Sequence, residues 1–175
     1  MKVVAITLAV AAVAAFGCSS SDKSATGPGG STSCSVTLSG SQTGTYNCAP
    51  VAAFKASTSD SAGFGFQVSA SGSQPTITAL ILWLGTPASG HHTNSDAGAY
   101  GGVTAGTAAG AYWYAAAGNI GLPAQGTYDL NLTSVTNPVQ TDSGTSYTVH
   151  GSLSASLPAL TTSGASGTVT VSATF

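Results

Sequence analysis

The side chains in this 175-residue sequence that could move a proton or hold a metal are few: three histidines, five aspartates and no glutamate. His91, His92 and Asp96 lie close together, with His150 a distant fourth donor. Imidazoles and a carboxylate could bind a transition metal. Adjacent histidines in an extended chain point to opposite sides, however, and no ligand spacing of a known metal motif is present. A solvent-exposed polar loop is the expectation, with no metal and no cofactor. Serines are too numerous to single out a nucleophile, and the chain has no G-x-S-x-G elbow. Asp129 with Asp142, or Asp60 with Asp96, would have to serve as a glycosidase pair, a thin basis in a chain so poor in carboxylates. No catalytic residue is expected; a hydrolase is the third reading, behind two kinds of binding protein.

The aromatic residues form a better-defined set. Trp83 ends an apolar run, Tyr100 lies in the Gly-rich stretch after it, and Tyr112-Trp113-Tyr114 follows that stretch. Aromatic rings beside Ser, Thr and Asn suit sugars, whose C–H faces stack on rings while their hydroxyls hydrogen-bond. These five residues are the candidate ligand contacts. The plainer reading is that they fill a core, and in Tyr112-Trp113-Tyr114 alternation sends Trp113 to the side opposite its neighbours.

The elements that must position these residues are strands. From Cys34 onward apolar residues recur mostly at every second position between Gly, Ser, Asn and Pro, and no run keeps a helical period. Strands are expected at Val51–Ala56, Phe64–Ala70, Thr76–Leu84, Tyr112–Ala116, Tyr128–Thr136, Tyr147–Leu157 and Val169–Phe175, the last two as a hairpin with Phe175 on the apolar face. Thr76–Leu84 (TITALILWL) is apolar on both faces, which suggests a central strand covered from two sides. Eight or nine short antiparallel strands point to a β-sandwich, with a β-barrel as the alternative. Gly85–Gly110 reads as one long Gly/Ala/Thr-rich loop. Loops of such length in compact domains are uncommon and tend to be functional or disordered.

The first hairpin can be set in register. Cys34, Val36 and Leu38 alternate along one run, Tyr46 and Cys48 along the next, and the chain reverses around Gly40-Ser41-Gln42. This places Cys34 opposite Cys48, Val36 opposite Tyr46 and Leu38 opposite Gly44. The two cysteines share a face, close enough for a disulfide after a modest twist.

Composition narrows the partners. Only 5% of residues are charged, and arginine is absent as well as glutamate. After Cys18, Lys23 and Lys55 stand against five aspartates, a net charge of −3. Two lysines cannot displace the counterions of a nucleic acid, so nucleic-acid binding is excluded. Ser, Thr and Gly supply the polarity instead.

The N-terminus, MKVVAITLAVAAVAAFGC, has one lysine, an apolar run from Val3 to Phe16, and Gly17 before Cys18. A basic start, a short apolar core and a small residue describe a secretory signal. Fourteen apolar residues would span about 21 Å as a helix, short of a bilayer core of about 30 Å. Ala15-Phe16-Gly17-Cys18 resembles the lipobox of bacterial lipoproteins, whose cysteine is acylated and becomes the first residue. Ordinary cleavage after Gly17, releasing a soluble protein, is the alternative. The resemblance implies lipidation of Cys18, which leaves Cys34 and Cys48 as an even pair in an oxidising compartment. With Ser19 next in the chain, it also implies delivery to the outer membrane.

Residues 18–33 form a Ser/Gly/Thr linker spanning about 20–25 Å, and residues 34–175 one domain. The whole pattern is similar to small lipoproteins of Gram-negative bacteria. The expected function is a non-enzymatic envelope lipoprotein with an interaction or structural domain, whose partner is an envelope protein. A carbohydrate-binding-module-like domain is the alternative.

Overall fold

The computed structural model describes residues 33–48, 51–68, 74–118 and 126–175. The signal segment, Cys18 and the linker as far as residue 32 lie outside them, as does Ala70 at the end of one expected strand. The chain is all-β and antiparallel, as its alternation implied. Its strands are β1 (Ser35–Gly40), β2 (Gly44–Asn47), β3 (Ala52–Ala56), β4 (Ser61–Val68), β5 (Thr76–Leu84), β6 (Gly90–Thr93), β7 (Tyr100–Gly106), β8 (Tyr112–Ala117), β9 (Thr127–Thr141), β10 (Gly144–Pro158) and β11 (Thr168–Thr174). Thr161–Ser163 add one turn of 3-10 helix. Eleven strands form one open sheet, two more than the upper expectation, and an open sheet fits a sandwich better than a closed barrel.

The long strand β10 organises the sheet. One edge pairs with β9 from Thr127 to Thr141. The other edge serves two neighbours in turn: β3 along Gly144–Tyr147, then β11 along Ser152–Pro158. Strands β3, β4, β5, β7 and β8 continue from the first half, and β11, β1 and β2 from the second. Register shifts against β9 fall between Ser146 and Thr148 and between His150 and Gly151, where β10 passes from one set of neighbours to the other. Such bulges bend a strand and increase its twist. Gly144 begins β10 at φ +150°, and a Cβ there would collide with the Lys55 carbonyl; the approach of β10 to β3 requires glycine.

The hairpin register is as derived: Val36 faces Tyr46 and Leu38 faces Gly44. Cys34 and Cys48 are joined by a disulfide, with Cα atoms 5.1 Å apart. The β10–β11 hairpin also forms, and Phe175 extends its ladder through paired backbone hydrogen bonds with Gly151.

Alternation decides what is buried. Val36, Phe64, Phe66, Ile77, Ile81, Leu130, Leu132, Val149, Leu153, Leu157, Val169 and Val171 are all at most 2% exposed and form one core. Strand β5 departs from expectation. Ile77, Ala79, Ile81 and Trp83 are buried on one side, but Leu80 and Leu82 on the other are only half-buried, and Leu84 is 65% exposed. The second face of this central strand therefore carries partial cover, and its apolar residues form part of an outer surface.

Candidate functional site

Two groups of side chains are assembled around β5. The first arises where the sequence suggested a loop. Gly85–Gly110 contains the whole of β6 and β7, so it is short strand and turn and not structureless chain. Among the described residues, strand β6 pairs with β9 alone, over four residues from Gly90–Leu132 to Thr93–Asp129. His91 and His92 point to opposite sides of it, as adjacent residues of a strand must. His91 Nδ1 lies 2.8 Å from Asp129 Oδ1 at an exposed position. His92 turns inward and stacks on the Trp83 indole, with ring centroids 4.0 Å apart and planes at 20°.

The turn after β6 fastens it to the start of β9. Asp96 accepts hydrogen bonds from the Thr93 amide (3.0 Å) and the Thr93 hydroxyl (2.7 Å). Asn94 donates through Nδ2 to the Gly126 carbonyl (3.2 Å), and its Oδ1 accepts from the Tyr128 amide (3.4 Å).

Burial sets the protonation of this cluster. The His92 ring hydrogen-bonds the Ala88 backbone, while its buried Nε2 has no partner among the described residues. The Ala88 bond therefore uses Nδ1–H, and Nε2 carries a bare lone pair. Desolvation holds the His92 pKa below its ordinary value of 6.5, opposed by the Ala88 bond and the Asp96 charge and aided by His91. The Tyr128 hydroxyl is likewise buried with no partner among the described residues. Burial, then the Asp96 charge, pushes its pKa up to about 12. Bonds from Thr93 hold Asp96 below the usual carboxylate range. Protonating His92 would set a cation over the indole, an attraction of about 0.5–1 kcal/mol at partly exposed sites. It would also bury an N–H⁺ with no acceptor, which costs about 1–3 kcal/mol or more. The second effect is the larger.

The second group is the outer side of β5, β7 and β8. Thr78, Leu80, Gly102, Thr104, Tyr112 and Tyr114 line a shallow groove of about 150 Å³ there. Tyr112 and Tyr114 lie with ring centroids 6.3 Å apart and planes at 29°. Glycine at 102 is a packing requirement, because a Cβ would strike the Ala115 carbonyl of β8. By alternation Tyr100, paired with Leu82, belongs to the same side.

The five candidate ligand contacts thus divide. Tyr100, Tyr112 and Tyr114 share the outer side, Tyr100 and Tyr112 half-buried and Tyr114 only 1% exposed. Trp83 and Trp113 face the core at 7% and 3% exposure, and Trp113 Nε1–H donates to the Ser166 carbonyl at 3.1 Å. Sequence reasoning missed the stack of His92 on Trp83, whose partners are nine residues apart. A Trp at the end of one strand and a His in the next short one was the sole signal. Among the described residues, no group of three or more His, Cys, Asp or Glu is placed to hold a metal ion. No protein-family model, curated protein or solved structure matches the chain.

Proposed function

We propose that this chain is an exported envelope lipoprotein, acylated at Cys18 and held at the outer membrane, whose β-domain works by binding and not by catalysis. The observation that carries the binding reading is the groove on the outer side of β5, β7 and β8, where the half-buried Tyr112 stands beside Tyr114, Thr78 and Thr104. The carboxylates and imidazoles, by contrast, are spent on local structure: Asp96 on Thr93 and Asp129 on His91. The His91–Asp129 pair is exposed, and an exposed ion pair is weak and solvated, unlike the sheltered base that catalysis favours.

The ligand class that fits best is a neutral glycan. Tyr112 offers ring surface in the groove, Tyr100 lies on the same side of the sheet, Thr78 and Thr104 line the groove with Tyr112, and the lining bears no charge. At about 150 Å³ the groove is smaller than pockets for drug-sized molecules, roughly 300–1,000 Å³. It would take one sugar ring of a longer chain. Both indoles are core residues, so binding is best followed by calorimetry of the full chain against envelope and extracellular polysaccharides. We expect a saturable heat whose affinity falls about tenfold in Tyr112→Ala, the loss of one stacking contact. Tyr46→Ala, on β2, should leave it unchanged. Absence of saturable heat with every polysaccharide would move the reading to an envelope protein partner.

The anchor is tested separately. Cells fed a clickable fatty acid should label the protein, and Cys18→Ser should abolish the label. Label retained on the Cys18→Ser chain would reject acylation at that residue.

A further inference from the structure

We propose that His92 is a proton-operated latch: acidification releases β6 from β9 and uncovers Trp83 and the β9 edge from Asp129 to Leu132. Strand β6 is four residues long and, among the described residues, pairs on one side only. Beyond that ladder it is held by the turn bonds of Asn94, by His91 on Asp129, and by the stack of His92 on Trp83. The stack is the ring contact that ties β6 to the core, since Trp83 is 7% exposed.

The surroundings of His92 decide what a proton does there. Its Nδ1 is committed to Ala88, and Nε2 has no acceptor among the described residues. From β9, Leu130 lies opposite. Tyr128, two residues earlier on the same face, brings a hydroxyl that is itself unpartnered and stays neutral. From β5 comes only the indole. Of the charged groups nearby, Asp96 favours the imidazolium and His91 opposes it. His91 is drawn to Asp129 and points away. A proton arriving at Nε2 therefore has nowhere to donate while β6 is in place, and finds water when β6 swings out.

The sign follows from linkage. The open segment binds the proton at the ordinary value near 6.5, whereas the closed segment binds it only at lower pH. The closed state is unaffected above about pH 7. It weakens as pH falls through 6.5, and the loss is complete once pH is below the closed-state value. Between the two values the opening equilibrium grows by about tenfold for each pH unit. Asp96, held below the usual carboxylate range by Thr93, keeps its charge across this window and so does not mask it.

Hydrogen exchange of the full chain, corrected for intrinsic rates, tests the latch between pH 7.5 and 5.0. Amides of residues 90–93 should lose protection on acidification while those of β4 and β5 keep theirs. His92→Phe keeps an aromatic ring on Trp83 and cannot titrate, so its protection should not change with pH; His92→Gln serves as the second non-titrating variant. His91→Asn should retain the wild-type response. A His92 midpoint above 6.5 in an NMR titration would overturn the proposal, because the cation would then be held on the indole. Equal acid loss in His92→Phe and wild type would overturn it too.

Discussion

Phe64→Ala is expected to lower the unfolding free energy by about 3–5 kcal/mol, the range for deleting a buried ring and leaving a void. Phe64 is fully buried on β4, opposite Ala53 of β3 and Ile81 of β5. Its ring lies 6.0 Å from Phe66, edge-on, and 4.8 Å from Phe175. Phe175 comes from the far arm of the sheet, beyond β11. The contact thus joins the two sets of strands that β10 holds together, and no neighbour can slide in to fill the space without disturbing both. A loss of this size is a large share of the roughly 5–15 kcal/mol that holds a domain folded. The midpoint in a circular-dichroism melt should fall by roughly 10–15 °C. Phe175→Ala should cost less, because that ring sits at the rim with 8% exposure. The double mutant should fall short of the sum by about 0.5–1.5 kcal/mol, the coupling of one ring pair. Strict additivity would mean that the rings do not depend on each other.

Replacing both cysteines, Cys34→Ser with Cys48→Ser, is expected to cost about 3 kcal/mol, as the chain-entropy account gives for so short a loop. The two residues are 14 apart in sequence. The melting midpoint should drop by roughly 10 °C, and reduction of the wild type should reproduce the drop. The native state has independent reasons to hold this hairpin: β1 pairs with β11 over six positions, and the Cys48 amide donates to the Cys34 carbonyl. The folded structure should therefore persist without the bridge, at lower stability. A midpoint unchanged by reduction would contradict the entropic account.

Strands with clean alternation were legible. Thr76–Leu84 is matched to the residue, and the Cys34–Cys48 hairpin register could be derived because period-2 burial puts both cysteines inward and the reversal around Gly40-Ser41-Gln42 sets which residues stand opposite. Strands β6 and β7 were hidden for different physical reasons. β6, GHHT, is too short to show a period and is held by β9 and by side chains of the following turn. β7, YGGVTAG, contains glycines that read as turn residues. In place they allow close approach, since a Cβ at Gly101 would strike the Leu80 carbonyl and one at Gly102 that of Ala115. The length of β9 and β10 was also underestimated, because bulges interrupt the alternation around Thr148 and Gly151.

Of the site, the aromatic set was visible in composition, and alternation alone separated Trp113 from its two tyrosine neighbours. The opposite orientation of His91 and His92 followed in the same way. The His92–Trp83 stack and the empty Nε2 did not, because both depend on which strand lies beside which, and that is settled by pairings far apart in sequence.

If the domain hangs from the N-terminal anchor proposed above, the disulfide has a mechanical consequence. Tension drawn along residues before 34 reaches the fold at Cys34, and the bond to Cys48 passes part of that load directly to the far end of β2. The hairpin then cannot be peeled open from the tether side one hydrogen bond at a time. To detach, β1 and β2 must leave β11 as a single body, against six paired positions at once. The bridge places a covalent loop where the pull enters, so strain is met first by a bond and only afterwards by the sheet.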